Sequence, residues 1–109
     1  MGLNIYLHNP KKDYEVLEAT QLTHNLTRMA KIAGIYQHLW RPEELDIEFA
    51  YQLIKPLKAA VKIVSKHPEY FKLFEAKNGW GTYEGFLKNI TKYLYLCEKF
   101  PDYEIHVSR

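Results

Sequence analysis

The chain has 109 residues, of which 47% are hydrophobic and 26% are charged, and its formal net charge is +2. This length suits one domain with a single core, and it excludes a catalytic domain joined to a separate binding domain. The composition is that of an ordinary globular protein, and the small net charge excludes the broad basic surface that nucleic-acid binding requires. We therefore expect a single domain over residues 1–109 with no specific nucleic-acid partner.

The sequence shows neither a secretory leader nor a membrane span. No basic segment followed by a long apolar run stands at the N-terminus, and about 18 consecutive apolar residues occur nowhere. The single cysteine, Cys97, cannot form an internal disulfide and has no companions for a cysteine-based zinc site. We therefore expect a cytoplasmic protein with no membrane partner.

Both ends of the sequence predict β-strands, because their apolar and polar residues alternate with the period of a half-buried strand. The apolar positions are Leu3, Ile5 and Leu7 near the N-terminus, and Tyr103, Ile105 and Val107 near the C-terminus. A polar turn begins at Asn9-Pro10, and Tyr14 to Glu18 follows as a weaker strand. We therefore predict a small, mostly antiparallel sheet of two or three strands, with the N- and C-terminal strands paired.

The middle of the sequence has helical periodicity. A first helix is predicted from about Gln21 to Ala33, with Gly34 as its C-terminal cap. A second helix is predicted to begin after Asp46, which is a good N-cap residue. Pro56 interrupts this second helix, so that it either kinks or consists of two pieces that meet near Lys55.

Two further helical segments complete the predicted fold. His67-Pro68 ends the second helix and begins a short helical turn. Thr82 is a suitable N-cap for a long third helix that closes at Phe100-Pro101. The broad apolar band of this helix favours a central position over contact with a partner chain. The sequence thus predicts an α+β fold in which three to four α-helices pack on the sheet.

The motifs of standard enzymes are absent: there is no G-x-S-x-G elbow, Walker loop, H-E-x-x-H pair or G-x-G-x-x-G fingerprint. Cys97 lies on an apolar helical stripe, where a thiol is expected to be inert. His8 and His106 come together if the terminal strands pair, but the sequence nominates no third metal ligand. We therefore expect no metal, no cofactor and no catalytic residue.

Residues 23–41 carry the residue types of an anion site. On a helix, His24, Arg28 and Lys31 share one face, which either contacts an anion or is simply solvated. The connector that follows places Trp40 next to Arg41, a stacking ring beside a planar cation, as a nucleotide-like ligand requires. The same connector suits plain packing, with Trp40 anchored in the core.

The segment N-G-W-G-T-Y-E, Asn78 to Glu84, places Trp80 between two glycines at a helix start. Gly79 and Gly81 permit positive φ and close approach of a ligand, and the N–H groups beyond Thr82 favour a phosphate. Alternatively, Thr82 caps the helix and Trp80 packs inward as part of an ordinary turn. Burial of Trp80 would indicate a turn, whereas exposure beside His24 or Arg41 would indicate a site.

Several segments together resemble a family of small proteins encoded by tailed bacteriophages and prophages. In chain order they are G-L-N-I-Y-L, T-H-N-L-T-R-M-A-K-I-A-G-I-Y-Q-H-L-W-R-P-E-E-L, L-I-K-P-L, N-G-W-G-T-Y-E and P-D-Y-E-I-H-V-S-R. The resemblance covers nearly the whole chain, although we attach no established activity or residue roles to the family. Small phage proteins often neutralise host defences, and some sequester nucleotide-derived immune signals without cleaving them. The resemblance therefore implies an anti-defence role in the host cytoplasm.

We therefore expect a non-catalytic binding protein that sequesters a small anionic, nucleotide-like ligand, such as a host immune signalling molecule. The expected ligand-binding residues are Trp80 and Trp40 for stacking, His24, Arg28 and Arg41 for phosphate contact, and Gly79, Gly81 and Thr82 for backbone donors. A homo-oligomer is expected because one small domain buries a ligand poorly. The alternatives are a protein-protein inhibitor or adaptor acting on a host protein, and a small phosphoesterase or hydrolase built around His24 or the His8 and His106 pair.

Overall fold

A computed structural model describes residues 2–109 and shows an α+β fold, as predicted. Three antiparallel strands form one sheet in the order β2-β1-β3, with β1 at Gly2–His8, β2 at Val16–Thr23 and β3 at Glu104–Ser108. The terminal strands β1 and β3 are therefore neighbours, which confirms their predicted pairing.

The alternation of β1 gives the sheet two different faces. Leu3, Ile5 and Leu7 are fully buried under the helices, while the residues between them lie on the opposite face, as the two-residue period of a strand requires. On that opposite face, β1 and β3 pair His8 with Glu104 and Tyr6 with His106.

Five α-helices lie within residues 2–109, one more than the largest number predicted. They are α1 at Thr27–Ile32, α2 at Tyr36–Trp40, α3 at Ile54–Lys66, α4 at Pro68–Lys72 and α5 at Tyr83–Lys99. The long helix α5 packs against both α3 and β2, which agrees with its predicted central position. No helix in this part of the chain has the length and apolar character needed to cross a membrane.

Two predicted helix starts are wrong. The first helix does not begin at Gln21, because β2 continues to Thr23 and only a 3-10 turn and the six residues of α1 follow. Asp46 is not an N-cap, because it has a φ of 56° and ends a 3-10 turn at Pro42–Leu45. The second helix instead starts with a 3-10 turn at Ala50–Leu53.

Other predicted boundaries are confirmed. Gly34 follows α1 with a φ of 75°, a conformation that glycine adopts without steric cost. The 3-10 turn at Ala50–Leu53 meets α3 beside Lys55, and this junction places Pro56 in the first turn of α3, where a missing N–H is tolerated. Pro68 begins α4, and Thr82 caps α5 by accepting a hydrogen bond from the Gly85 backbone N–H at 3.1 Å.

A polar cluster ties the β1–β2 turn to the start of β3. The Tyr103 hydroxyl donates a hydrogen bond to Glu15, and Asn9 Nδ2 donates to the Glu15 carboxylate at 3.3 Å. These hydrogen bonds favour the charged carboxylate, so they hold the pKa of Glu15 below its ordinary value.

We predict that Tyr103→Phe lowers the free energy of unfolding near neutral pH and that this loss shrinks in acid. The Tyr103 hydrogen bond is the largest influence that lowers the pKa of Glu15. A carboxylate with a lowered folded-state pKa stabilises the fold above its unfolded pKa, and the contribution disappears as pH falls through the folded value. Urea denaturation from about pH 7 down to about pH 3 measures the effect.

Tyr95→Phe is the matched control, because Tyr95 is an exposed tyrosine of α5 that is remote in sequence from Glu15. It should change the free energy of unfolding by less than about 0.5 kcal/mol at every pH. A loss in Tyr103→Phe that is the same at all pH values would contradict the assigned role of Glu15.

Candidate functional site

Trp80 lies on the surface, with 69% of its area exposed. Its backbone N–H donates to Asn78 Oδ1 at 3.0 Å, which fixes the turn that leads into α5. The side chain borders a cleft of about 420 Å³ that is lined by Thr23, His24, Asn25, Asn78 and Trp80, here called the Trp80 cleft. The inward-packing alternative for Trp80 is therefore wrong, and its exposure beside His24 meets the condition set for a site.

A second cleft adjoins the first through a shared residue. The Arg41 cleft has a volume of about 240 Å³ and is lined by His24, Thr27, Tyr36, Trp40, Arg41 and Arg109. His24 lines both clefts. His24 follows Thr23, the last residue of β2. The chain reverses there, at the edge of the sheet, and this reversal places His24 between the two clefts. The two clefts together combine an exposed indole, an imidazole and two guanidinium groups.

Trp40 belongs to the core, where only 3% of its area is exposed. Its ring stacks on Tyr36 with ring centroids 5.4 Å apart and an angle of 17° between the planes. The packing alternative for Trp40 is therefore correct, and its predicted role as a free stacking surface is not. Tyr36 is only half-buried and lines the Arg41 cleft. The connector therefore contributes the Tyr36 ring, and not an exposed Trp40 ring, to the surface of this cleft.

The two arginines of the Arg41 cleft are held differently. Arg41 interacts with the Tyr36 hydroxyl, which raises the pKa of Arg41 above its ordinary value, and its Nη1 lies 3.9 Å from Glu44. Arg109 Nη1 donates to the backbone carbonyl of Trp40 at 2.7 Å and to Glu43 at 2.9 Å. Arg41 is therefore the freer guanidinium, whereas Arg109 is fixed in position by two partners.

Sequence reasoning missed Arg109 as a site residue. It follows β3, and only the pairing of β3 with β1 brings it next to Trp40, 69 residues earlier in the chain. No local spacing signals such a contact, because it depends on the order of strands in the sheet. The alternation of apolar and polar residues over 103–107, which predicts β3, was the indirect signal for the position of Arg109.

Arg28 does not join the other predicted cations. Its guanidinium lies 5.2 Å from the centre of the Phe74 ring, a cation–π contact with the segment after α4. Lys31 lies 4.8 Å from the centre of the Tyr36 ring and lines a separate cleft together with Gly34 and Gln37. The predicted common face of these residues is not formed, because His24 lies in a 3-10 turn that precedes the helix.

The start of α5 already has a carboxylate. Glu75 accepts a hydrogen bond from the Tyr83 backbone N–H at 2.7 Å, and Thr82 caps Gly85. These two groups satisfy helix-start donors that were predicted to hold a phosphate. The Gly79 N–H donates to the Ala76 carbonyl at 3.2 Å, so it takes part in the turn, whereas the roles of Gly81 and Thr82 as backbone donors stay a prediction.

The walls of the Arg41 cleft contain ring nitrogens without a protein partner. His24 Nε2 and Trp40 Nε1 are buried and make no hydrogen bond within residues 2–109. A buried polar atom without a partner costs about 1–3 kcal/mol. A ligand group that reached these nitrogens after a small movement would recover part of that cost, which favours this wall as a binding surface.

Cys97 is fully buried in α5. Burial raises the pKa of its thiol to about 12, so the thiol stays protonated near neutral pH. A thiolate is the nucleophile in cysteine catalysis. The expected inert character of Cys97 is therefore consistent with its surroundings.

No protein family, curated protein or solved structure matches the chain. The resemblance to small phage and prophage proteins is therefore a prediction from the segments quoted above.

We predict that alanine at the two tryptophans lowers the stability of the fold by very different amounts. Trp80→Ala should change the free energy of unfolding by less than about 1 kcal/mol, because the side chain is mainly in solvent. Trp40→Ala should lower it by about 3–5 kcal/mol, because a buried indole leaves a large cavity. Chemical denaturation followed by circular dichroism measures both, and unfolding of Trp80→Ala would show that its ring is a structural anchor.

We predict a similar contrast for the two glycines beside Trp80. Gly79 and Gly81 have φ angles of 79° and 96°, so alanine at either position costs about 1–2 kcal/mol of backbone strain. A Cβ at Gly81 would lie 3.2 Å from Asn25 and Leu26 side-chain atoms, whereas none is within 4 Å at Gly79. Gly81→Ala should therefore be less stable than Gly79→Ala, and equal losses in urea denaturation would contradict the predicted contact.

Proposed function

We propose that the protein is a non-catalytic binding protein that sequesters a small anionic, nucleotide-like ligand across the Trp80 and Arg41 clefts. The observation that carries this proposal is that His24 lines both clefts, which joins an exposed indole to a guanidinium surface. A nucleotide needs these two elements, because its base stacks on aromatic rings and its phosphates accept charged hydrogen bonds.

The charges around the Arg41 cleft favour an anion. Arg41 and Arg109 line the cleft, and Glu43 and Glu44 are the carboxylates that oppose them. Arg109 is neutralised by close contact with Glu43, whereas Arg41 is 3.9 Å from Glu44 and remains available. Arg41 is therefore the residue that we assign to phosphate contact, with His24 beside it.

The stacking role falls to Trp80. Its indole is exposed and borders both the Trp80 cleft and a neighbouring cleft of about 350 Å³ beside the first residues of β1. Aromatic stacking is worth about 1–3 kcal/mol per base and tolerates different bases. Recognition of the base by Trp80 and of phosphate by Arg41 therefore suits a nucleotide-derived ligand of several kinds.

The biological setting that we propose follows from the phage resemblance. A protein that binds a nucleotide signal without cleaving it lowers the free concentration of that signal in the host cytoplasm, and a host immune signal is the ligand we favour. We also propose a homo-oligomer, because the clefts of one chain are shallow and a second copy would enclose the ligand.

We predict that a ligand from a panel of cyclic dinucleotides, ADP-ribose derivatives and common nucleotides raises the melting temperature and quenches tryptophan fluorescence. A ligand at about one hundred times its Kd adds about 2.7 kcal/mol to the free energy of unfolding. We expect the larger change from Trp80, because its ring is exposed whereas the Trp40 ring is buried. Thermal shift and fluorescence titration measure the two effects.

Matched variants make the test specific. Trp80→Ala and Arg41→Ala should each weaken binding by about tenfold or more, the equivalent of one stacking or charged contact of about 1.4 kcal/mol. Tyr95→Ala and Arg28→Ala remove an exposed aromatic ring and an arginine outside the clefts, and should leave binding unchanged. The absence of any thermal shift across the panel would contradict the proposal, and chemical conversion of a ligand would show an enzyme instead.

A further inference from the structure

The open face of the sheet carries a second cluster of functional side chains, at the far end of β1 from the Trp80 cleft. His8, Glu104 and His106 each offer one ligand atom, and these three atoms all lie within 4.8 Å of one another. The two clusters are separate, because Asn4 beside Trp80 and His8 in the cluster are four residues apart, or about 13 Å along a strand.

Strand pairing builds this cluster on a rigid scaffold. His8 and Glu104 are directly opposite each other in the β1–β3 ladder, and His106 is two residues further along β3 on the same face. The imidazole rings of His8 and His106 meet edge to face, with centroids 5.4 Å apart. Residues on adjacent strands hold ligand geometry more closely than residues on loops.

The His8 ring lies between two hydrogen-bond acceptors. Its Nε2 is 3.2 Å from the Asp13 backbone carbonyl, and its Nδ1 is 3.2 Å from Glu104 Oε1. A neutral imidazole carries one N–H, so a proton donated to the Asp13 carbonyl leaves a lone pair on Nδ1 facing the carboxylate. A metal ion between Nδ1 and Glu104 would take that lone pair and the carboxylate as ligands.

The distances suit a metal ion. Two ligands bound to Zn²⁺ at about 2.0–2.1 Å with a tetrahedral angle lie about 3.3 Å apart, close to the 3.2 Å between His8 Nδ1 and Glu104 Oε1. A metal-bound histidine usually donates its other N–H to a carbonyl or carboxylate, which orients the ring. The Asp13 carbonyl is in that position, and His106 supplies the third ligand atom, within 4.8 Å of the other two.

We propose that His8, Glu104 and His106 form a Zn²⁺ site on the open face of the sheet. Two imidazoles and one carboxylate are a ligand set found at zinc sites that keep one coordination position open. A cleft of about 370 Å³, lined by Tyr6, Val16 and the two histidines, borders this set. The open position is therefore next to a space large enough for water or a small anionic ligand.

Calorimetric titration of ZnCl₂ into untagged, chelator-treated protein tests the site. Wild type should bind one Zn²⁺ per chain, and His106→Gln and Glu104→Gln should each weaken binding by at least about tenfold, the smallest effect expected even for an outer ligand partner. His67→Gln is the matched control, because His67 is an exposed histidine outside the cluster, and it should bind Zn²⁺ as wild type does.

Two outcomes would overturn the proposal. Absence of Zn²⁺ binding would show that His8, Glu104 and His106 do not form a metal site. Equal binding by wild type and both cluster variants would place the metal elsewhere. Circular dichroism of each variant, together with the visible spectrum of bound Co²⁺ as a marker of nitrogen and oxygen coordination, separates loss of the site from loss of the fold. Titration with nucleotides is independent of this result, because the Zn²⁺ site and the two clefts share no residue.

Discussion

Pairing of β1 with both β2 and β3 is the constraint on which the rest of the structure depends. It makes β1 the central strand and joins segments about one hundred residues apart, since His8 contacts Glu104. Closing so long a loop costs conformational entropy. The burial of β1 under α5 and the neighbouring helices opposes that cost, because all three of its core residues are fully buried. Both of the proposed sites depend on this pairing.

The two surfaces use the sheet in different ways. At the beginning of β1 and the end of β2, the chain turns away from the sheet, and Trp80 and His24 meet at this edge. At the other end, side chains on adjacent strands face each other across the ladder, and His8 and Glu104 form a close pair there. Turn residues thus form the proposed nucleotide surface, whereas residues on paired strands form the proposed Zn²⁺ site.

Sequence patterns predicted the elements whose signals are local. The terminal strands, the Thr82 cap and the Gly34 cap were correct, because alternation and capping depend on neighbouring residues. The first helix was placed too early because Leu22 and Leu26 are four residues apart, which suits a helix. In the structure Leu22 is instead a buried strand residue paired with Leu3. Tertiary pairing thus overrode the helical pattern that the sequence favoured for this segment.

The candidate sites show the same division between local and long-range information. The sequence predicted that Thr82 caps α5. No local pattern could reveal that Glu75 accepts a hydrogen bond from the first backbone N–H of the same helix. Likewise, the third ligand for His8 and His106 could be named only once strand register placed Glu104 opposite His8.

Trp80 is the informative exception. A large ring left in water forgoes about 1.5–3 kcal/mol of burial, yet Asn78 and two glycines with positive φ hold its turn in a defined geometry. A fixed turn that presents an exposed indole agrees with the ligand contact that we propose for Trp80.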